Sequence, residues 1–248
     1  MDSLRILVGL GLTLLLVMLR LEAERFGAAE YDEPARGYRP SLLRRLGWYI
    51  LGVGGVLALL LAHPTPEFSL HLQVGDASGI LIGFALGGLG VGQAVALAWY
   101  HYRRLRFPNI TSYPGALVNE IMTAFIDETV FRGAVLGYFL WAGADVRLAV
   151  LGQAVTYVLA TRLGAPGRDR YMFVVAAATG ILGGWATIVT GGVGASFLGH
   201  AITRVAVFLT TGHAGHPPAR GTEIEEVEQR RRTPEGWRTV DRSVARER

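Results

Sequence analysis

Four ionisable residues stand inside long apolar stretches: Asp127, Glu128, Arg132 and Arg204. Glu120 and His200 stand near them on the same two stretches. Glu128 and Arg132 are four residues apart, so on a helix they share one face and can pair. That pair reads equally well as an internal staple. Asp127 lies about 100° further round a helix and shares its face with Glu120, Thr123 and Phe131. It has no local cation. A buried carboxylate of that kind is a candidate general base or a protonated hydrogen-bond donor. Alternatively Arg204 serves as its partner. His200, opposite the acidic cluster, is either a satisfied hydrogen-bonding group or a participant in chemistry. Asp127, Glu128 and His200 supply three metal ligands at most, so no metal and no other cofactor is expected. His213 and His216, beside Pro217, read as part of a polar tail.

The elements that must position these groups are helices in lipid. The chain has 248 residues, of which 51% are hydrophobic and 18% charged, with a mean hydropathy of +0.34. Its charges cluster in short stretches and leave apolar runs of the length a bilayer core demands, about 18–22 residues. The alternation of a β-barrel is absent. The fold class expected is all-α, a polytopic transmembrane helical bundle of about seven spans. These are read at Leu4–Leu19, Leu46–His63, Gly79–Tyr100, Pro114–Trp141, Val146–Leu163, Tyr171–Thr190 and Val193–Thr211. The first could be a secretory signal, but Leu21-Glu22-Ala23 suits a cleavage site poorly, and a retained span is expected. Gly83, Gly87, Gly88 and Gly92 in the third span, and Gly180 and Gly184 in the sixth, would let helices approach closely. There is no internal repeat.

All 24 basic residues are Arg. Twenty lie in the segments 20–45, 100–114, 162–170 and the tail, against two (Arg5 and Arg147) in the segments of the other side. The positive-inside rule then places the N-terminus outside and the C-terminus inside. The same rule accounts for the net charge of +4 without nucleic acid. Cysteine is absent, which excludes disulfides and thiolate metal sites. Three regions follow: 1–113, N-terminal spans with arginine-rich loops; 114–211, the charged core; and 212–248, a polar tail expected to be cytoplasmic and disordered, with a short helix at 223–232.

Two strings carry a resemblance. Asp127-Glu128-Thr129-Val130-Phe131-Arg132-Gly133 resembles the Glu-Glu-x-x-Phe-Arg-Gly motif of the CAAX-protease and bacteriocin-processing (CPBP) family of intramembrane endopeptidases. Gly191-Gly-Val-Gly-Ala-Ser-Phe-Leu-Gly-His200-Ala201 resembles that family's late His motif. The resemblance covers roughly 114–211. It implies that the first acidic residue and a His of the next helix activate water, and that a second His and an Asn one turn later stabilise the oxyanion. It implies structural roles for the second acidic residue and the Arg. Carried over, Asp127 stands for the catalytic Glu, one methylene shorter, and Glu128, Arg132 and Gly133 match. Thr161 replaces the first His, His200 matches the second, and Arg204 replaces the Asn. Asp127, Glu128 and His200 are thus the catalytic candidates, and Arg132, Thr161 and Arg204 structural or site-modulating residues. The resemblance implies an integral protein of a bacterial plasma membrane. It would cleave membrane-associated peptides, with activity reduced or lost through the departures at Thr161 and Arg204. The alternative is an inactive pseudoprotease that holds a membrane-protein or peptide partner. A proton-coupled transporter ranks last, because two similar halves are missing.

Overall fold

A computed structural model describes residues 2–23, 25–28, 40–102, 105, 114–163 and 171–211. Its elements are α1 (Asp2–Leu21), α2 (Pro40–Ala62), the short α3 (Pro66–Ser69), α4 (Ser78–Tyr102), α5 (Pro114–Asp127), a π-helical segment (Glu128–Val135), α6 (Leu136–Trp141), α7 (Val146–Leu163), α8 (Tyr171–Thr190) and α9 (Gly194–Thr211). No strand occurs among the described residues. The protein is an all-helical bundle, as expected. Four stretches are long and apolar enough to cross a membrane: Asp2–Leu21, Leu43–Ala62, Ser78–Tyr100 and Val146–Leu163. Val174–Thr190 and Gly194–Thr210 are shorter apolar helices. The remaining rod is the run from Pro114 to Trp141, interrupted by the π-helical segment. The polar tail, with the helix expected at 223–232, lies outside the described residues, as does most of the two arginine-rich connections at 100–114 and 162–170.

One apolar core joins the N-terminal hairpin to the charged helix. Leu16 of α1 and Trp48, Val56 and Leu59 of α2 pack with Ile126, Val130, Phe131 and Ala134, and α7 adds Tyr157 and Ala160. The Trp48 indole N–H donates to the Leu19 carbonyl at 2.9 Å. Arg5 donates from Nε to the Ala62 carbonyl at 2.9 Å, satisfying an orphan acceptor at the end of α2.

Small residues decide the second seam. A side chain at Gly83 would press on Leu198, one at Gly87 on Ile202, and one at Gly90 would overlap Thr203. The seam of α4 on α9 therefore runs through positions 83, 87 and 90. Gly88 and Gly92 face away, with nothing within 4 Å of a built Cβ. The four-residue spacing of the expectation thus holds for Gly83 and Gly87, while Gly90 replaces the other two. Gly180 and Gly184 of α8 do meet a neighbour, namely Ala154 for the first and Gln153 and Val150 for the second, all on α7.

The turn between α8 and α9 is pinned by the segment before α4. The Asp76 N–H donates to Thr190 O at 2.9 Å, Val193 N–H to Gln73 O at 2.9 Å, and Gly194 N–H to Val74 O at 3.1 Å. Gln73 Nε2 donates to Gly191 O at 2.8 Å. Gly75 and Gly191 take the left-handed backbone at φ 90 and 73, which suits residues without a Cβ. These bonds fix where α9 begins, and hence where His200 sits.

Two outcomes follow from this packing. Gly90→Val should destabilise the protein by about 1–3 kcal/mol through overpacking, whereas Gly88→Ala should be neutral, both read by thermal unfolding in detergent. Burial in the pinned segment holds the His71 imidazole below its ordinary value of 6.5. Its contribution to stability is therefore complete above that value and is lost as the pH falls through it towards the depressed one. Hydrogen exchange across residues 71–76 should accordingly speed up between pH 7.5 and pH 5.5, after correction for intrinsic rates. Equal corrected rates would contradict the assignment.

Candidate functional site

The charged motif begins where α5 widens. Glu128–Val135 forms a π-helical segment, all of it from Glu128 to Ala134 buried. Such segments shift side chains around the axis and occur often at functional sites. The Thr129 hydroxyl donates back to Phe125 O at 2.8 Å. Despite the wider turn, Arg132 Nη1 stays 3.2 Å from Glu128 Oε1, so the expected pair forms.

Three buried ion pairs organise the site. Besides Glu128–Arg132, Arg204 Nε lies 2.9 Å from Glu120 Oε2, and Arg20 Nε lies 2.7 Å from Asp127 Oδ1. The last of these corrects the expectation for Asp127, which was read as lacking a local cation or as pairing with Arg204. Its partner comes from α1, and Arg204 is turned to Glu120. Arg20 was read as a member of an arginine-rich connection, but it is 1% exposed. A signal was present: Gly9, Thr13, Leu16 and Arg20 are the buried residues of α1, spaced as one helical stripe.

His200 faces Glu128 rather than Asp127. Its Nδ1 is 2.6 Å from Glu128 Oε1. A carboxylate accepts and does not donate, so the proton of the neutral imidazole lies on Nδ1, and Nε2 keeps its lone pair. The only group near Nε2 among the described residues is the Tyr157 hydroxyl, at a long 3.4 Å. Tyr157 is itself held by two neighbours. Phe131 meets its ring edge-on at 5.2 Å, and the Arg132 guanidinium lies 3.9 Å from its centroid. Sequence reasoning missed the contact between Tyr157 and His200. Thr161 is buried one turn on, and its hydroxyl bonds neither His200 nor Glu128.

Continuing from Glu120, the Asn119 amide donates to its Oε1 at 2.9 Å. The Tyr49 hydroxyl donates to the Asn119 side-chain oxygen. The pairs thus extend as a polar seam from α9 through α5 to α2.

His200 also lines a cavity of about 50 Å³ between α4, α8 and α9. Its walls include Leu86 and Leu89 of α4 and Leu182 of α8. That volume suits a water molecule or two, or one carbonyl group. An imidazole oriented by a carboxylate and set at the wall of such a cavity can take a proton from water. Among the described residues no cluster of three or more His, Asp or Glu is placed to hold a metal.

Taken together, fold and site define a polytopic helical membrane protein with a buried acid–histidine centre. Residues 109–206 match the family model described as "Rce1-like: Type II CAAX prenyl endopeptidase Rce1-like". The matched segment is similar to that family's domain, and it spans the site from Glu120 to Arg204. The helices α1, α2 and α4 lie before the matched segment. No curated protein and no solved structure was found similar to the chain.

The Arg20–Asp127 pair makes a prediction of its own. Arg20→Gln alone leaves Asp127 buried without a cation and should cost about 3–5 kcal/mol. Adding Asp127→Asn should recover most of that loss in thermal unfolding, because neither charge then remains. Additive losses would contradict the pairing.

Proposed function

We propose that the protein is an intramembrane endopeptidase of the CAAX-protease type, acting on membrane-associated peptides through His200 and Glu128. The observation that carries this reading is the 2.6 Å bond between His200 Nδ1 and Glu128, at the wall of a cavity and inside the Rce1-like domain. In this reading a water molecule attacks the scissile carbonyl carbon while His200 Nε2 takes its proton. Glu128 holds the imidazole and stabilises the imidazolium that forms. His200 then returns the proton to the leaving amine as the C–N bond breaks, giving a carboxylic acid and an amine. Arg132 balances the Glu128 charge and supports the Tyr157 ring. Asp127, matched to the family's catalytic Glu, is instead engaged by Arg20 at 2.7 Å. The working carboxylate is thereby moved one residue along the chain. The arginine distribution supports a bacterial plasma membrane with the N-terminus outside and the C-terminus inside.

A second reading, a silent scaffold that holds a membrane-protein or peptide partner, is favoured by two observations. The family's first carboxylate is neutralised at 2.7 Å, and Thr161 stands where a His is expected.

One assay separates the two. Purified protein in lipid discs should cleave a membrane-tethered peptide, and Glu128→Gln or His200→Gln should each lower kcat/KM by at least about a hundredfold. The Arg20→Gln/Asp127→Asn double variant should go on cleaving. Its inactivity, with the fold retained, would return the base role to Asp127. A wild-type protein that cleaves nothing across a panel of apolar tethered peptides would sink the peptidase reading in favour of the scaffold.

A further inference from the structure

The cavity beside His200 is lined by a carboxamide that the proposed reaction has not used. Between Ser78 and Tyr100, the α4 span contains a single side-chain amide and no charged residue; the amide is Gln93. It lies on the helical stripe Leu86, Leu89, Gly90 and Gln93, and all four line the cavity with His200. A carboxamide in a lipid-embedded span is costly unless something accepts its N–H groups. Among the described residues Gln93 makes no hydrogen bond.

Two of the hydroxyls that line the cavity are engaged. The Ser196 hydroxyl donates to Val193 O at 3.0 Å, and the Thr203 hydroxyl donates to Gly199 O at 2.7 Å. Arg204 is committed to Glu120 at 2.9 Å and does not line the cavity. A carboxamide offers two N–H donors. Thr179 of α8 also lines the cavity and makes no hydrogen bond among the described residues, but it offers a single O–H. Gln93 is the wall residue with two N–H donors to spare, on the helix facing the one that carries His200. The cavity volume of about 50 Å³ suits one carbonyl group rather than a bulky ligand.

We propose that Gln93 is a substrate-binding residue. Its carboxamide N–H donates to the carbonyl oxygen of an apolar peptide segment whose carbonyl carbon faces His200. It gains strength as that oxygen becomes negative in the tetrahedral intermediate. This inference rests on the peptidase reading of the same site and adds a residue from a helix outside the Rce1-like match. It also names the substrate class at that position: an uncharged, apolar backbone stretch, because Leu86, Leu89 and Leu182 flank the carboxamide and no cation among the cavity-lining residues would meet an acidic side chain.

The experiment uses two probes in lipid discs with the full chain. One is a membrane-tethered apolar peptide. The other is the same peptide with its central amide replaced by a phosphinate, whose tetrahedral anion imitates the intermediate. Gln93→Leu and Gln93→Met are compared with the wild type. Both variants should unfold at the wild-type temperature or above, since an amide has been removed from an apolar span. They should bind the plain peptide within about threefold of wild type, bind the phosphinate about a hundredfold more weakly, and cleave about a hundredfold more slowly with KM unchanged. Equal phosphinate affinity in variants and wild type overturns the inference, as does a wild type that does not bind the phosphinate. Loss of thermal stability in both variants also overturns it, because Gln93 would then be joining helices. Wild-type protein that binds the phosphinate through Gln93 but cleaves nothing leaves the inference standing and removes the peptidase reading.

Discussion

Lipid does not tolerate an unpaired charge, and among the described residues this protein buries three acid–guanidinium pairs: Arg20 with Asp127, Arg132 with Glu128, and Arg204 with Glu120. Each acid has a guanidinium within about 3 Å. A buried pair of this kind contributes little net stability, because desolvation offsets most of the attraction. Breaking one pair, however, strands a charge at large cost. The three pairs therefore act as a registration device: the helices that carry the charges have few alternative ways to sit. The partners lie on α1, on the α5–π-helical rod and on α9, so a single electrostatic requirement ties together elements from both ends of the described chain.

The N-terminal hairpin gains a defined role from that requirement. It lies outside the Rce1-like match, yet α1 delivers Arg20 to the motif, while Trp48 of α2 packs in the same core as Ile126 and Phe131. Tyr49 of α2 reaches Asn119, next to Glu120. The motif's first acidic residue, Asp127, is neutralised from outside the matched segment. Its second is left to divide its carboxylate between Arg132 and His200. Which carboxylate can orient the imidazole is thus decided by a helix some hundred residues earlier in the chain.

Packing by small residues performs a complementary task on the other face. Without a hydrophobic force between helices in lipid, close approach depends on van der Waals contact and on the absence of side chains in the way. Gly83, Gly87 and Gly90 let α9 settle against α4. That places Gln93 and His200 around one cavity. The hydrogen bonds between residues 73–76 and 190–194 hold the start of α9 in the same relation to α4. The geometry at His200 is a product of backbone contacts as much as of its own bonds.

Much of this was legible along the chain. Runs of apolar residues of bilayer length specified helices, because a backbone in lipid must satisfy its own hydrogen bonds within the segment. The spacing of Glu128 and Arg132 specified their pair, because four residues bring side chains to one helix face. The resemblance in residues 127–133 and 191–201 located the domain. What only the tertiary structure decided was which distant groups meet. Arg20 and Asp127 are separated by two spans and by loops whose lengths say nothing of packing angle, so no local spacing could join them. His200 could have met either of two adjacent acids. The π-helical turn and the packing of α9 present Glu128 to it, while α1 claims Asp127. Gln93 reads as one polar residue in an apolar helix until the glycine seam turns its face towards His200. Local periodicity fixes faces, but only the packing of those faces fixes partners.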